Sequence, residues 1–201
     1  MLKFFASGGF FMWPLALCSV VSLAIIIERA FFLRRPRVLP PQVAEAVDNL
    51  PPQGGVEIVW NVVRHDESIL GELIRTCLDH LRWPKLENVE AVQSKARHEG
   101  IRLERYLVIL EIIVGIAPLL GLLGTVSGLV TVFDSIRGSE DTSGVARGIA
   151  EALNTTVAGL VIAIPSLVFH SYYSKKVENY MIELENICGD LLAKLYKVDQ
   201  P

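Results

Sequence analysis

The sequence predicts an all-α integral membrane protein with three transmembrane helices, and two observations carry this prediction. Hydrophobic residues make up 51% of the 201 residues, a fraction that is high for a water-soluble domain. Three long segments, at 10–27, 112–133 and 152–173, contain no Asp, Glu, Lys or Arg. Because about 20 apolar helical residues cross the roughly 30 Å hydrocarbon core of a bilayer, each of these segments predicts one transmembrane helix.

The chain is expected to consist of six consecutive segments. They are an external N-terminus with transmembrane helix 1 (1–35), a cytoplasmic helical segment (36–105), transmembrane helix 2 (106–134), an external loop (135–146), transmembrane helix 3 (147–174) and a cytoplasmic C-terminal helix (175–201). Lys and Arg favour the cytoplasmic side of a membrane, and they are concentrated after the first span, before the second and after the third. The N-terminus is therefore expected outside and the C-terminus in the cytoplasm.

Two other interpretations of the apolar segments are open. A water-soluble domain with three buried helices would carry a polar stripe on each helix, and the first two segments show almost none. A cleavable signal peptide at residues 1–27 would carry its positive charges before the apolar run, whereas Arg29, Arg34, Arg35 and Arg37 follow it. Membrane spans, with the first one retained, are the favoured interpretation.

The segment between the first and second spans is polar but helical in its pattern. Glu28 and Arg29, at its beginning, are expected to form a charged pair at the membrane surface. Apolar residues then recur at helical spacing, and Ser68 is placed to cap a new helix. From Leu86 onward no residue stops a helix before the second span, which predicts one continuous rod of about 70 Å.

The tail after the third span carries apolar residues at alternating steps of four and three, as in a helix that packs on another helix. These residues are Val177, Met181, Leu184, Cys188, Leu191 and Leu195. The third span is therefore expected to continue as a helix to about Tyr196. Two of the three transmembrane helices would then extend into a cytoplasmic helical bundle.

The stretch "PLLGLLGTVSGLVTVF" at residues 118–133 is rich in glycine and could be a phosphate-binding loop or a membrane helix. A phosphate loop requires a Lys after its last glycine, but residues 107–136 contain no Lys. On a helix, the small residues of this stretch share one face, which lets helices approach closely in lipid. They are Ala117, Gly121, Gly124, Thr125 and Gly128.

The third span carries a similar stripe, at about 100° per residue. Its small and polar residues include Thr155, Thr156, Gly159 and Ala163, with Glu151 at the edge. A polar stripe through a membrane faces protein or water, and threonine hydroxyls can both donate and accept hydrogen bonds. Glu151 is either a wetted residue in the first turns of the helix or an inward-facing carboxyl that exchanges protons.

Charge and residue types exclude several other kinds of site. The net charge of −3, with no basic face, argues against a nucleic-acid partner. Three cysteines are an odd number and imply no disulfide framework, and the four histidines have no metal-ligand spacing. We therefore expect no metal site, no cofactor and no enzymatic activity.

Three motifs resemble the spans of the MotA/TolQ/ExbB proton-channel family, in the order and spacing of its ExbB/TolQ branch. They are "MWPLALCSVVSLAIIIERAFFL" at 12–33, "IAPLLGLLGTVSGLVTVF" at 116–133 and "IAEALNTTVAGLVIAIPSLV" at 149–168. The resemblance covers nearly the whole chain. The segment 36–105 resembles the family in length and helicity more than in motif.

The resemblance implies a homopentamer in the bacterial inner membrane, with a periplasmic N-terminus and a cytoplasmic C-terminus. The pentamer would enclose single-span subunits of the ExbD/TolR type and drive a transducer of the TonB/TolA type. Carried over by motif, Thr125 of "LLGTV", Glu151 of "AEAL" and Thr156 would lie near the proton path, beside an Asp on the partner helix. Because this chain has "NTTV" there, Thr155 could share the role of Thr156.

The expected function is therefore a proton-channel subunit that couples proton motive force to outer-membrane transport or envelope processes. One rival is a membrane scaffold that holds the partner helices without carrying protons. Another is a small solute transporter, but such proteins usually contain internal repeats with broken helices, and no repeat relates the three spans. Which outer-membrane process is energised, as in ExbB or as in TolQ, does not follow from the sequence.

Overall fold

The computed structural model describes residues 10–51, 55–136 and 142–196. Within these ranges the chain is helical and contains no strand. The helices are α1 (Met12–Phe32), α2 (Arg35–Val38), α3 (Pro41–Asp48), α4 (Val56–Val63), α5 (Ile69–Asp79), α6 (Lys85–Glu104), α7 (Leu107–Ile136) and α8 (Thr142–Tyr196). The all-α class predicted from the sequence is confirmed.

Three of these helices are long and apolar enough to cross a membrane: α1, the part Leu107–Phe133 of α7, and α8. The chain divides into two compact units. The membrane unit contains residues 1–28 and 106–172, and the bundle unit contains residues 29–105 and 173–201. Helices α1 and α8 each contribute to both units, and α8 continues without interruption to Tyr196, as the sequence predicted.

The predicted continuous rod from Leu86 into the second span is wrong. Helix α6 ends at Glu104 and α7 begins at Leu107, so two residues interrupt the helix at the boundary between the two units. Arg105 keeps right-handed helical angles, with φ −43° and ψ −44°. The interruption is therefore local and keeps helical backbone angles at Arg105, which explains why neither Gly nor Pro marks it.

The loop between the second and third spans is shorter than residues 135–146. Helix α7 extends to Ile136 and α8 begins at Thr142, so helix covers both ends of the predicted loop. The remaining residues, 137–141, lie outside the described part of the chain.

The bundle unit is built around α5. The Ser68 hydroxyl accepts a hydrogen bond from the Gly71 N–H at 3.0 Å, which confirms the predicted N-cap and satisfies one of the free amides at the start of α5. One face of α5 is then buried almost completely. The buried residues are Ile69, Leu70, Gly71, Leu73, Ile74, Cys77 and Leu78.

Arg29 is also part of this core, and the interfacial charged pair of Glu28 and Arg29 stays a prediction. Arg29 is only 2% exposed, and its Nη1 donates a hydrogen bond to the Leu103 carbonyl at 2.7 Å. Its guanidinium lies 4.8 Å from the centroid of the Phe32 ring, a cation–π contact. A buried arginine needs such partners because its charge cannot be removed.

The end of α8 is fixed to the rest of the bundle unit by its packing seam and by two polar side chains. Val177, Leu184, Cys188 and Leu191 are buried, as the spacing of the tail predicted. Beyond them, the Lys194 ammonium donates to the carbonyls of residues 47 and 48 at 2.9 and 2.8 Å. These carbonyls lie at the end of α3, where helix carbonyls lack intrahelical partners. The Val47 carbonyl also accepts from the Leu50 N–H at 3.2 Å, and Lys194 completes the cap of that helix.

Candidate functional site

The candidate site lies where α7 and α8 approach each other most closely within the membrane unit. A Cβ atom on Gly121 would lie 2.8 Å from the Thr155 carbonyl oxygen, and one on Gly159 would lie 2.5 Å from the Ala117 carbonyl oxygen. Both distances are shorter than real Cβ atoms tolerate. Only glycine allows the two backbones to meet here, as in other close helix pairs in lipid.

The remaining small residues extend this contact in both directions. A Cβ atom on Gly124 would lie 2.6 Å from Thr155 Oγ1, and one on Gly128 would lie 2.7 Å from the Ala152 Cβ. Towards the other end, Ala117 and Ala163 belong to a buried cluster with residues of α1 and α7, namely Met12, Leu15 and Ile113. All six residues of the predicted small face thus lie at contacts between the spans.

Three threonine hydroxyls converge on one backbone carbonyl at the centre of this contact. The Gly121 oxygen lies 3.0 Å from Thr125 Oγ1, 3.0 Å from Thr155 Oγ1 and 3.1 Å from Thr156 Oγ1. The hydroxyls of Thr125 and Thr156 are also 2.6 Å from each other. This is a short hydrogen bond between oxygen atoms, and it connects the two helices.

The hydrogen bonds of this cluster can rearrange without movement of heavy atoms. Each hydroxyl has one proton to donate, yet Thr125 has three acceptors in range: the Gly121 carbonyl, the Leu122 carbonyl at 2.9 Å, and Thr156 Oγ1. Either member of the Thr125–Thr156 pair can be the donor. The pair can therefore accept a proton on one side and release one on the other.

The structure distinguishes Thr155 from Thr156. Thr155 is 1% exposed, and its hydroxyl is surrounded by two carbonyl acceptors, Gly121 at 3.0 Å and Ala152 at 2.8 Å. Thr156 is half-buried and has the Thr125 hydroxyl as its neighbour. Thr155 thus fastens the two helices together, whereas Thr156 keeps access to the surface of the membrane unit.

Glu151 lies on α8 one turn before Thr155 and is half-buried. At 100° per residue, it is about 40° from Thr155 around the helix but about 140° from Thr156. The sequence placed Glu151 at the edge of the stripe that carries both threonines, and this spacing puts it at the edge next to Thr155. The three threonines therefore form one cluster, and Glu151 lies beside it.

A serine pair in the membrane unit was not identified from the sequence. Ser22 Oγ of α1 and Ser166 Oγ of α8 are 2.6 Å apart, and both residues are buried. The signal available was Ser166 in the polar stripe of the third span and Ser22 in the apolar first span, and a serine in a span usually bonds to its own helix. Among the described residues, no group of three or more His, Cys, Asp or Glu side chains could hold a metal ion.

The bundle unit contains a separate network of charges around Lys95. Its ammonium lies 2.7 Å from Glu72 and 3.1 Å from Glu99, a buried carboxylate that Arg102 also contacts at 3.4 Å. The hydrogen bond from Lys95 lowers the pKa of Glu72, although partial burial opposes the shift. The same hydrogen bond raises the pKa of Lys95. This network stabilises the pairing of α5 with α6.

Comparison with known proteins identifies the family of this arrangement. The model of the MotA/TolQ/ExbB proton channel family matches residues 65–186, a range that includes α7, the threonine cluster and Glu151. The chain belongs to this family. Family membership explains why small residues and hydroxyls, and not a catalytic constellation, occupy the centre of the membrane unit.

Individual relatives assign the chain to the ExbB branch of the family. An ExbB-like biopolymer transport protein of Synechocystis is 34% identical over 175 residues, which cover 84% of this chain and 68% of the relative. The biopolymer transport protein ExbB of Aquifex aeolicus is 36% identical over 55% of this chain and 73% of its own length. The ExbB of Salmonella typhimurium is 29% identical over 89% and 77%.

These findings establish the general class of the protein. It is a multi-pass protein of the inner membrane, from a family of proton channels that energise transport. The family consists of channel and transport proteins and not of known enzymes. The names of the relatives describe biopolymer transport.

Proposed function

We propose that this chain is a proton-conducting subunit of an inner-membrane motor that couples proton motive force to outer-membrane transport. In this proposal five copies enclose single-span partners of the ExbD/TolR type, and movement passes to a transducer of the TonB/TolA type. The observation that carries the proposal is the hydroxyl pair of Thr125 and Thr156, 2.6 Å apart, at a helix contact that glycine makes possible.

Each side chain of the site receives a distinct role in this proposal. Thr125 and Thr156 line the path and pass a proton between their hydroxyls, because each can donate and accept. Thr155 holds α7 against α8 through the Gly121 carbonyl. Glu151, one turn nearer the start of α8, exchanges protons with the outer side of the path. The acidic group on the partner helix, implied by the family resemblance, lies beside the threonines.

The outer surfaces of α7 and α8 support an oligomer. On a single chain, large apolar side chains of both helices are more than half exposed, including Leu119 at 64%, Val161 at 64% and Val168 at 61%. Lipid covers part of such a surface, and further copies of the chain cover the rest. A ring of copies would turn the half-buried Thr156 towards a central space that accepts a partner helix.

Removal of single hydroxyls tests the assigned roles. Threonine and valine have similar shapes, so Thr125→Val and Thr156→Val should reduce proton flux through vesicles that contain the chain and its ExbD-type partner, while assembly is retained. Thr131→Val is the matched control, because Thr131 is exposed and its hydroxyl bonds only to the Ser127 carbonyl of its own helix, at 3.1 Å. Equal flux in all three variants would contradict the roles of Thr125 and Thr156.

A scaffold without proton conduction is the second candidate, and the glycine contacts are compatible with it. Gly121 and Gly159 would serve a purely structural helix pair equally well. The two candidates differ in what they require of Glu151. A scaffold tolerates Glu151→Gln, which keeps the shape of the side chain but cannot titrate, whereas a proton carrier does not.

We further propose that the N-terminus lies in the periplasm, that the bundle unit lies in the cytoplasm, and that the connection between α7 and α8 is periplasmic. The support is the distribution of Lys and Arg beside the spans. A cysteine placed at Lys85 should react with a membrane-impermeant thiol reagent only after the cells are opened. Labelling of that cysteine in intact spheroplasts would reverse the proposed orientation.

A further inference from the structure

A cavity of about 330 Å³ lies in the bundle unit beside the end of α1, outside the site described above. It opens to the surface between the start of α2, the start of α5 and the end of α6. Both signs of charge line it, together with one aromatic ring and one hydroxyl. The lining residues used here are Phe32, Arg37, Asp66, Glu67, Ser68 and Arg102.

The charged groups of this cavity do not neutralise one another. No ion pair within 4.0 Å joins either arginine to Asp66 or Glu67 in the described part of the chain. The Arg37 guanidinium instead lies 5.6 Å from the centroid of the Phe32 ring, and Arg102 makes a long contact of 3.4 Å with Glu99. Two positively charged and two negatively charged side chains thus line the same cavity without forming ion pairs across it.

One residue of the cavity, Phe32, belongs to α1 and follows the first span closely. The charge-free part of the first span ends at Ile27, and Phe32, five residues later, lines the cavity. At 1.5 Å per residue, this distance is roughly 7.5 Å along the helix. The polar layer of a bilayer extends roughly 5–7.5 Å beyond the hydrocarbon on each side, so Phe32 lies at the outer edge of that layer.

Neighbouring residues fit a membrane surface. The Arg34 guanidinium lies 4.7 Å from the centroid of the Phe31 ring, the arrangement of an arginine that extends from an apolar anchor towards phosphates. Arg34 and Arg37 are both exposed. The first residues after α1 therefore expose guanidinium groups next to the end of the first apolar helix.

We propose that this cavity binds the headgroup of a zwitterionic aminophospholipid of the phosphatidylethanolamine class. Arg37 and Arg102 would bind the phosphate, since guanidinium groups suit phosphate oxygens. The carboxylates of Asp66 and Glu67 would accept hydrogen bonds from the ammonium. A purely anionic headgroup uses only half of this lining, and a choline headgroup has no N–H to donate. This proposal does not depend on proton conduction by the chain.

Native mass spectrometry of the full-length complex, after detergent delipidation and titration with defined lipids, tests the proposal. The expected result is retention of phosphatidylethanolamine over phosphatidylglycerol and phosphatidylcholine of the same acyl chains. Arg37→Gln should weaken phosphatidylethanolamine binding about tenfold or more, because it removes a charge-assisted hydrogen bond. Glu67→Gln should reduce the preference over phosphatidylglycerol. Both residues are exposed, so both variants are expected to fold.

Arg34→Gln is the matched control, since Arg34 is a neighbouring exposed arginine that does not line the cavity. It should leave the lipid preference unchanged. If phosphatidylglycerol is retained as well as phosphatidylethanolamine, and if Glu67→Gln changes neither, the site recognises only the phosphate. That result would overturn the assignment of a zwitterionic headgroup. Unchanged binding in Arg37→Gln would overturn the site itself. Displacement of the lipid by free phosphoethanolamine at equal concentration would show that the ligand is a soluble headgroup and not a lipid.

Discussion

Gly159→Ala is expected to separate α7 from α8 and to disrupt the hydroxyl pair. The new Cβ would lie 2.5 Å from the Ala117 carbonyl oxygen, whereas ordinary contacts begin at 3.4 Å. The backbones must therefore move apart by the difference, about 0.9 Å. Thr156 lies three residues away, about 4.5 Å along the same helix, so the separation reaches it.

The magnitude follows from the short distance at the pair. A separation of about 0.9 Å would lengthen the Thr125–Thr156 oxygen distance from 2.6 Å to about 3.5 Å, beyond the 2.5–3.0 Å range of such bonds. Overpacking costs about 1–3 kcal/mol, and alanine returns up to about 1 kcal/mol of helix propensity. The net loss of stability is therefore about 0–2 kcal/mol, which leaves a folded protein with a broken path.

Proton flux in vesicles, measured beside thermal unfolding in detergent, is the suitable assay. Gly159→Ala should reduce flux about tenfold or more while it lowers the unfolding temperature only slightly. Gly115→Ala is the control on the same helix pair, because a Cβ there would meet nothing within 4 Å. If Gly159→Ala conducts protons as well as Gly115→Ala does, close approach of the helices is not required and the reasoning is refuted.

Three further predictions concern the bundle unit. Burial raises the pKa of both Cys77 and Cys188 to about 12, so alkylation of these thiols at neutral pH should be slow in the folded protein and fast in denaturant; rapid labelling without denaturant would contradict their burial. Lys95→Met leaves the buried Glu99 carboxylate with only Arg102 among the described residues, which should destabilise the bundle by about 1–3 kcal/mol in chemical denaturation. A loss below about 0.5 kcal/mol would show that the network does not stabilise the bundle. Because the pKa of Glu72 is lowered from 4.5, its contribution to stability is present above that pH and is lost as the pH falls through its lower folded value. Melting temperatures should therefore decline more steeply below pH 4.5 in the native chain than in Glu72→Gln, and equal slopes would contradict the role of this ion pair.

The sequence was sufficient to predict the spans and the small faces. Charge-free runs of about 20 residues have few other physical explanations, and glycines at steps of four and three have few uses other than helix contact in lipid. The N-cap at Ser68 was equally predictable, because a serine just before a helical run of apolar residues can accept a hydrogen bond from a free amide at the start of that helix. Each of these features depends on residues close together in the chain.

Features that depend on the register between helices could not be predicted. The convergence of three hydroxyls on the Gly121 carbonyl requires α7 and α8 to align Gly121 with Thr155 and Thr156, and no spacing within one helix specifies that alignment. The burial of Arg29 depends on a carbonyl 74 residues away. The break at Arg105 has helical angles and no breaker residue, so it carries no local signal.

The central claim is that protons pass through this chain, and flux through Glu151→Gln tests it most directly. The measurement is proton uptake by vesicles that contain the chain with its ExbD-type partner under an imposed pH gradient, with copy number checked by native mass spectrometry. We predict that the native complex takes up protons and that Glu151→Gln, equally well assembled, takes them up at least about tenfold more slowly. Uptake by Glu151→Gln at the native rate would contradict the claim and favour the scaffold.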